Sequence, residues 1–549
     1  MLKLEQVKRR PEEPEDCLAK KAAALLRIPE ADILSLTILR RAVDARPPIC
    51  LVYTLGVKVK SEGAALRRCR SKNVSRYAPP KLPAPGSVMV QERSQRAQSC
   101  PSCAPEYHHD GPKDPPPVVV GAGPAGLFAA LVLARAGLRP ILLERGQPVE
   151  QRQKDVENFW SGGPLCPESN VQFGEGGAGA FSDGKLNTGT KDPRHRFILE
   201  QLVSCGAPES ILIDAKPHVG TDMLHITLKN LRKELLSLGA DIRFGHRLEG
   251  LEVREGRLTG IAVFHGEKSY TLPARDLILA LGHSARDTVE RLYEQGLSME
   301  AKPFAVGVRI EHLQSRMDAV QYKEYAGHPA LPVSTYKLSC HLPEGRSVFS
   351  FCVCPGGQVV AAASEPRRTV TNGMSEYARS GENINGGLLV NVTPADFGSG
   401  HPLAGIAFQR RLEEAAYRLG GGFTAPCQRV EDFLLGRPST GCGSVRPSYR
   451  PGVCYTDLHR CLPEFVSRAL EQALPILDRK LPGFADGDAL LTAVESRSSA
   501  PVRIPRDENY ESNIKGVYPC GEGAGYAGGI LSAAADGMRC AEIILARNL

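Results

Sequence analysis

The 549-residue chain lacks a paired cysteine framework, an apolar leader and an internal repeat, and each absence removes a class of protein. Its sixteen cysteines are too sparse for a disulfide scaffold and follow no regular spacing, which makes a reducing compartment the simpler setting. The opening MLKLEQVKRRPEEPEDC has no apolar core and meets acidic residues early, unlike a signal or transit peptide. A cytoplasmic protein is expected, with plastid or mitochondrion as the alternative. One stretch, Pro115 to Ala134, is uncharged for the length of a membrane span, but Gly121, Gly123, Pro124 and Gly126 make it a strand, a tight turn and a buried helix instead, so no membrane partner is expected. No fixed-period repeat appears, which excludes solenoids and propellers, and no Ser-His-Asp elbow, HExxH or P-loop is present. Hydrophobic residues at 42% and charged residues at 23% exclude global disorder and allow at least one large core. Length predicts two to four domains.

Net charge is +7, but residues 1 to 97 hold 20 Lys/Arg against 10 Asp/Glu, so the basic excess belongs to the N-terminal part. That part reads as a small α+β module over 1–76: a helix over Leu18 to Leu26, an apolar stretch Ile33 to Leu39 and a strand Ile49 to Val59. Residues 77–116 are rich in Pro, Ser and charge and read as a linker. From Val118 strand and helix patterns alternate, the signature of an α/β fold with a parallel sheet and crossover helices. The expected division is a first part of this Rossmann-like domain over 117–300, an inserted sheet-containing substrate domain over 301–490, and a return segment over 491–549. Strand-like runs Phe304 to Ile310, Ser347 to Val353 and Leu388 to Val392 mark the insertion.

Gly121, Gly123 and Gly126 follow the apolar strand Val118 to Val120 and precede a helix starting near Pro124 and Ala125. The first glycine permits the turn, the second lets backbone approach a pyrophosphate, and the third lets helix pack on strand, with the helix N-terminus facing the phosphates. Glu144, with Arg145 beside it, ends the next strand, where a carboxylate accepts hydrogen bonds from ribose hydroxyls and disfavours a 2′-phosphate. Together these predict a site for FAD or NAD.

The two ends of the chain decide between them by resemblance. Gly516 to Gly523, GVYPCGEG, resembles the strand and Gly-acidic element that ends FAD domains, with Glu522 after Gly521 where an Asp is usual. Gly528, Gly529 and Ile530 would open a helix whose positive end favours reduced flavin. Asp276 to Gly282 resembles the middle strand of glutathione-reductase-like flavoproteins, except that His283 follows Gly282 where small residues are common. FGEGGAGAFSDGKLNTG (173–189), PFAVGVRIEHLQ (303–314), SFCVCPGGQVV (350–360), TNGMS (371–375), VESRSSAPVRIPR (494–506) and GEGAGYAGGILSAAADGM (521–538) resemble one family in that class, the uncharacterised FAD-dependent dehydrogenases, whose leading domain the N-terminal module with AVDAR (42–46) also resembles. The resemblance implies FAD binding and oxidoreductase activity on an unnamed small molecule. It also places the loop carrying Gly177, Ser182, Asp183, Gly184 and Lys185 beside the flavin, and Leu248 among the cofactor contacts.

Candidate catalytic residues are Lys185, which could stabilise charge on reduced flavin or sit in a salt bridge with Asp183; Arg309 and His312; and Arg497. Arg309 and Glu311 share a strand face, either recognising substrate, with His312 as acid or base, or forming a buried ion pair between domains. Arg497 and Arg503 bracket a loop on the substrate side, where an arginine grips a carboxylate or phosphate. Cys352 and Cys354 share a strand face, but no CxxC follows the first glycine motif as it would in a disulfide reductase, so disulfide-reductase chemistry is not expected; Cys354 leads into a Pro355-Gly356-Gly357 turn and takes a structural part. Cys100 and Cys103, near His108 and His109, form half of a zinc motif with no second half, so no metal is assigned. No second strand-GxGxxG-helix unit exists, since GCGSV at Gly441 lacks the third glycine; NAD(P)H would therefore bind transiently, or the substrate itself is the electron donor.

Two other readings use the same residues. The basic first 97 residues could bind RNA, but they lack aromatic interleaving and any RRM or KH signature, so nucleic acid is not the expected partner. A non-catalytic flavin sensor would need none of the charged groups around the ring. The sequence leaves the oligomeric state open.

Overall fold

The computed structural model describes residues 1–78 and 115–547. Its centre is a five-stranded parallel sheet in the order Val517–Pro519, Leu277–Leu279, Val118–Val120, Ile141–Glu144 and Asp241–Phe244. The short strands are uninterrupted apolar runs because both faces are covered. Val119, Leu142 and Ile278 face the helices Pro124–Arg135 and Ile530–Arg547. Val118, Val120, Leu143, Leu277 and Leu279 face the other way, into a layer with Leu248, Ile261 and Val263 from an antiparallel three-stranded sheet spanning 246–273. The two helices meet backbone to backbone, since a Cβ on Gly537 would lie 2.0 Å from the Ala125 carbonyl oxygen.

The expected inserted region forms an eight-stranded, almost wholly antiparallel sheet, in which Phe304–Leu313 lies between Asn383–Val392 and Leu490–Glu495. The last of these strands, expected in the return segment, belongs to this sheet. Helices Ala404–Gly420 and Glu464–Lys480 cover it through Phe408, Leu412, Leu470 and Leu477. The expected turn at Pro355 is not a chain reversal: Ser347–Ala361 runs as one long strand whose pairing with Asn383–Val392 slips between Phe351 and Cys354 and again before Gly357. The single tryptophan, Trp160, ties the two sheets by donating from Nε1 to the Ala361 carbonyl at 2.9 Å.

The N-terminal module is a four-stranded antiparallel sheet with helix Cys17–Leu26 packed on it, and it includes a strand, Leu2–Arg9, not anticipated from the sequence. It docks through Arg41, whose backbone bonds Ile213 and Ala215 at 2.8 Å each and whose side chain pairs with Asp214 at 2.9 Å. The Cys100/Cys103 motif and nearly all of the expected linker lie outside the described residues. Among the described residues no helix is long and apolar enough to cross a membrane.

Candidate functional site

A cavity of about 370 Å³ opens at the carboxyl ends of the parallel strands, between them and the larger sheet. This is where an open α/β sheet presents its crevice. Four separate segments meet in it: the glycine turn with Gly121, Gly123, Pro124 and Ala125; Glu144 and Arg145; the loop with Gly177, Ser182, Asp183, Gly184 and Lys185; and Gly521, Glu522, Gly528, Gly529 and Ile530. Leu248 and Gly282 complete the expected set. Gly126 stands behind the wall, where a Cβ would come within 1.8 Å of the Gly121 carbonyl oxygen, so its part is to seat the helix on the turn.

The cradle suits a dinucleotide. Gly121, at φ +103°, turns the chain, and a Cβ there would strike the Ala280 carbonyl oxygen at 2.3 Å. Gly123 has open space in front of it, with nothing nearer to a Cβ than 3.9 Å, at the mouth of helix Pro124–Arg135. An anion can sit there against the helix N-terminus. Glu144 accepts backbone N–H bonds from Ala122 at 2.7 Å, Gly146 at 2.8 Å and Gly174 at 3.0 Å, which fixes the carboxylate and leaves it one of its roughly four acceptor positions. Arg145 is held by Glu168 and Asp287, both at 2.8 Å, and lies over the Phe173 ring at 4.0 Å.

The opposite wall is charged. Lys185 Nζ lies 3.0 Å from Asp183, which Arg379 also grips at 2.6 and 2.9 Å. Burial opposes the Lys185 charge, but Cys354, Cys352 and Asp183 outweigh it and hold its pKa above the ordinary lysine value. Burial pushes Glu522 up to about 7 against the pull of Lys302. His283 goes the other way, down to about 3, because burial and then Arg497, Arg286 and Lys302 all oppose its charged form. It is therefore neutral at pH 7, with Nδ1 buried and unpartnered and Nε2 3.9 Å from Glu522.

Three expected catalytic residues sit differently from the expectation. His312 does not reach the cavity: strand Phe304–Leu313 is covered on both faces, and His312 donates from Nε2 to the Phe484 carbonyl at 2.8 Å in the core. Arg309 lies just under the cavity wall and pairs with Glu495 at 2.9 Å rather than with Glu311, which accepts from Asn383 and Ser448. Arg497 lines the cavity, but its guanidinium is engaged by Glu413 through two bonds of 3.0 Å and by Ser284 at 3.1 Å and Ser364 at 2.5 Å, leaving little with which to grip a substrate anion. Arg503 is exposed and stacks near Tyr526.

Sequence reasoning noticed His283 and Cys352 without giving either a site role and passed over Glu495; all three line the cavity. Burial raises the Glu495 carboxyl to about 7 despite Arg309 beside it. Glu495 stands within the recognised VESRSSAPVRIPR stretch, where the carboxylate is the signal to weigh together with the arginines.

Comparison with known proteins gives the chain its family and that family's cofactor. Residues 117–167 match a FAD binding domain, 303–498 match the C-terminal domain-like region of FAD-dependent proteins, and 1–60 match a domain of unknown function. An uncharacterized protein of Clostridium beijerinckii is 46% identical over 533 residues, covering 96% of this chain and 95% of its own. The chain belongs to that family of FAD-dependent oxidoreductases. The family's cofactor is FAD. A digeranylgeranylglycerophospholipid reductase of Methanococcoides burtonii is 26% identical over 209 residues, covering 38% of this chain and 46% of its own. Among solved structures, an E. coli quinol fumarate reductase FrdA variant is similar at 12% identity and a TM-score of 0.36, over 79% of this chain and 70% of its own. A 3-ketosteroid-Δ4-(5α)-dehydrogenase from Rhodococcus jostii is similar at 12% identity and a TM-score of 0.34, over 80% and 97%.

Proposed function

We propose that this family member is a glutathione-reductase-like FAD enzyme that exchanges a hydride with a small-molecule substrate held between the parallel-sheet domain and the larger sheet. The observation that carries the reading is the meeting in one cavity of the glycine turn, Glu144, the 177–185 loop and the Gly521–Ile530 segment. When bound, FAD supplies hydride exchange at its N5. The chain supplies position and charge. The open face of Gly123 and the helix N-terminus behind it receive the pyrophosphate, and the free acceptor position of Glu144 receives a ribose hydroxyl.

Glu522 would accept from a ribityl hydroxyl, and the N-terminal end of helix Ile530–Arg547, which lines the cavity at Ile530, would favour negative charge on the ring. Lys185 stays protonated and stabilises negative charge gained on reduction. Glu495, with a pKa near neutrality, can hold or release a proton at its carboxyl oxygen on the substrate side. The domain division that accompanies this reading is an N-terminal module over 1–76, a linker over 77–116, a FAD domain over 117–300 with its return after Glu495, and a cap over 301–495. A cytoplasmic setting agrees with fourteen described cysteines that are all free thiols.

An anaerobic titration with NADH or NADPH, following the flavin band near about 450 nm, tests the reading. Bleaching identifies a nicotinamide-driven reductase; an oxidised flavin that resists both donors identifies an enzyme reduced by its own substrate. Purified protein without flavin refutes the proposal.

A further inference from the structure

The long strand Ser347–Ala361 is irregular at one place, and that place faces the cavity. Cys352 has φ +39°, a left-handed conformation that a residue with a side chain rarely adopts and that persists where the surroundings impose it. Pairing with the neighbouring strand slips on both sides of Cys354. In a regular strand residues 352 and 354 would project side by side; here Cys352 lines the cavity, while Cys354 is buried behind it. At the bulge the Cys354 thiol donates to the Cys352 carbonyl oxygen at 3.3 Å, and the two thiols are neighbours whose ionisations affect each other.

Two cations close on the pair. Arg309 Nη2 lies 3.7 Å from Cys354 Sγ and donates to the Cys352 carbonyl at 2.9 Å, and Lys185 Nζ lies 3.9 Å from Cys354 Sγ. A thiol becomes a nucleophile in surroundings of this kind, partly open and positively charged. The hydrogen bond from Cys354 lowers the Cys352 pKa well below the ordinary thiol value, and Lys185 and Arg309 help against burial. Every other described cysteine with a resolved shift is pushed up, including Cys520, which is buried against Cys540 on the other side of the cavity.

We propose that Cys352 and Cys354 are a redox-active dithiol that exchanges two electrons with the flavin bound in this cavity. The inference rests on the functional reading above, because it needs FAD there as the electron partner. In the forward direction the Cys352 thiolate joins the Cys354 thiol: one S–H bond breaks and one S–S bond of about 2 Å forms. Sulfur is oxidised and flavin reduced, with the two electrons and the single Cys354 proton passing to the flavin. The reverse reaction lets reduced flavin open the disulfide. The chain thus does without the CxxC after the first glycine motif, because the pair arrives from the larger sheet.

The test uses the full-length, flavin-bound protein. After oxidation with diamide and removal of the reagent, dithionite is added anaerobically while the flavin band is followed, and the peptide spanning both cysteines is alkylated and weighed. The wild type should take up four electrons per flavin, and Cys352→Ser and Cys354→Ser two each. The wild-type peptide should be lighter by two hydrogens and resist alkylation until it is reduced. A long-wavelength thiolate-to-flavin band should appear on partial reduction of the wild type and vanish in Cys352→Ser.

Two-electron uptake by all three proteins, with the oxidised wild-type peptide still fully alkylated, overturns the dithiol while leaving the flavin site standing. A flavin-free preparation overturns the functional reading and the exchange together. If either variant fails to fold, the electron count and peptide mass of the wild type alone decide.

Discussion

The substitution Glu413→Gln should cost about 3–5 kcal/mol of stability, because it leaves buried charge without its partner. Glu413 lies in helix Ala404–Gly420 with no exposure and accepts five hydrogen bonds: from Arg286 at 2.7 and 2.8 Å, from Arg497 twice at 3.0 Å, and from the Ser496 hydroxyl at 2.7 Å. Arg286 opens a helix of the parallel-sheet domain, so this carboxylate joins both sheets. A glutamine side chain at this position would keep the volume but turn a donor toward two guanidiniums, with only Glu365 nearby to share their charge. Urea unfolding followed through Trp160 measures the loss where the sheets meet.

The sign of the pH effect is fixed as well. Burial would raise the Glu413 pKa, but Arg286 and Arg497 overrule it and hold it far below the ordinary glutamate value of 4.5. A depressed folded-state pKa gives stability that is fully present above that ordinary value and lost as pH falls through the folded one, so the gap between wild type and variant should be flat near neutrality and shrink in acid. A loss under about 1 kcal/mol at pH 7, or a gap that widens on acidification, refutes the argument.

Arg497→Lys should lower the unfolding midpoint, by about 1–3 kcal/mol in free energy, because one ammonium cannot replace four directed bonds; an unchanged midpoint with a raised KM would restore the substrate-gripping role. Gly126→Ala should purify with little or no flavin, since its Cβ would lie 1.8 Å from the Gly121 carbonyl oxygen, and the ratio of flavin to protein absorbance reports it. FAD should bind more tightly as pH rises through about 7, because Glu522 ionises there and a charged acceptor makes the stronger bond; Glu522→Gln should flatten the profile in a fluorescence-quenching titration.

The parts of the site legible in the sequence are those whose demands are local. A turn that admits only glycine, a carboxylate at the end of the next strand and a Gly-acidic pair before a helix each impose a residue type at a short fixed spacing. Gly121, Glu144 and Glu522 are legible for that reason. Arg497 shows where this stops: its identity and position can be read along the chain, but the partner that occupies it, Glu413, lies 84 residues earlier on another element. His312 is misplaced by sequence reasoning because alternation along a strand shows which residues share a face and not whether that face is covered. The expectation that Cys352 and Cys354 share a face fails because a bulge breaks the alternation on which it depends. Among the elements, Leu2–Arg9 escapes notice because its apolar alternation slips at Gln6, φ +60°, where the pairing with Cys50–Val59 shifts register between Leu4 and Val7.

The edge strand Val517–Pro519 and the helix that rests on Ala125 come from the far end of a chain whose glycine turn is made roughly 400 residues earlier. On the ribosome the cradle thus lacks a wall until residues 517 onward have emerged, by which point the larger sheet, whose central strands run from Phe304 to Glu495, already has its own parts. Cofactor loading should accordingly follow formation of the larger sheet, and a chain stopped shortly before residue 517 should carry a formed cap but hold no flavin.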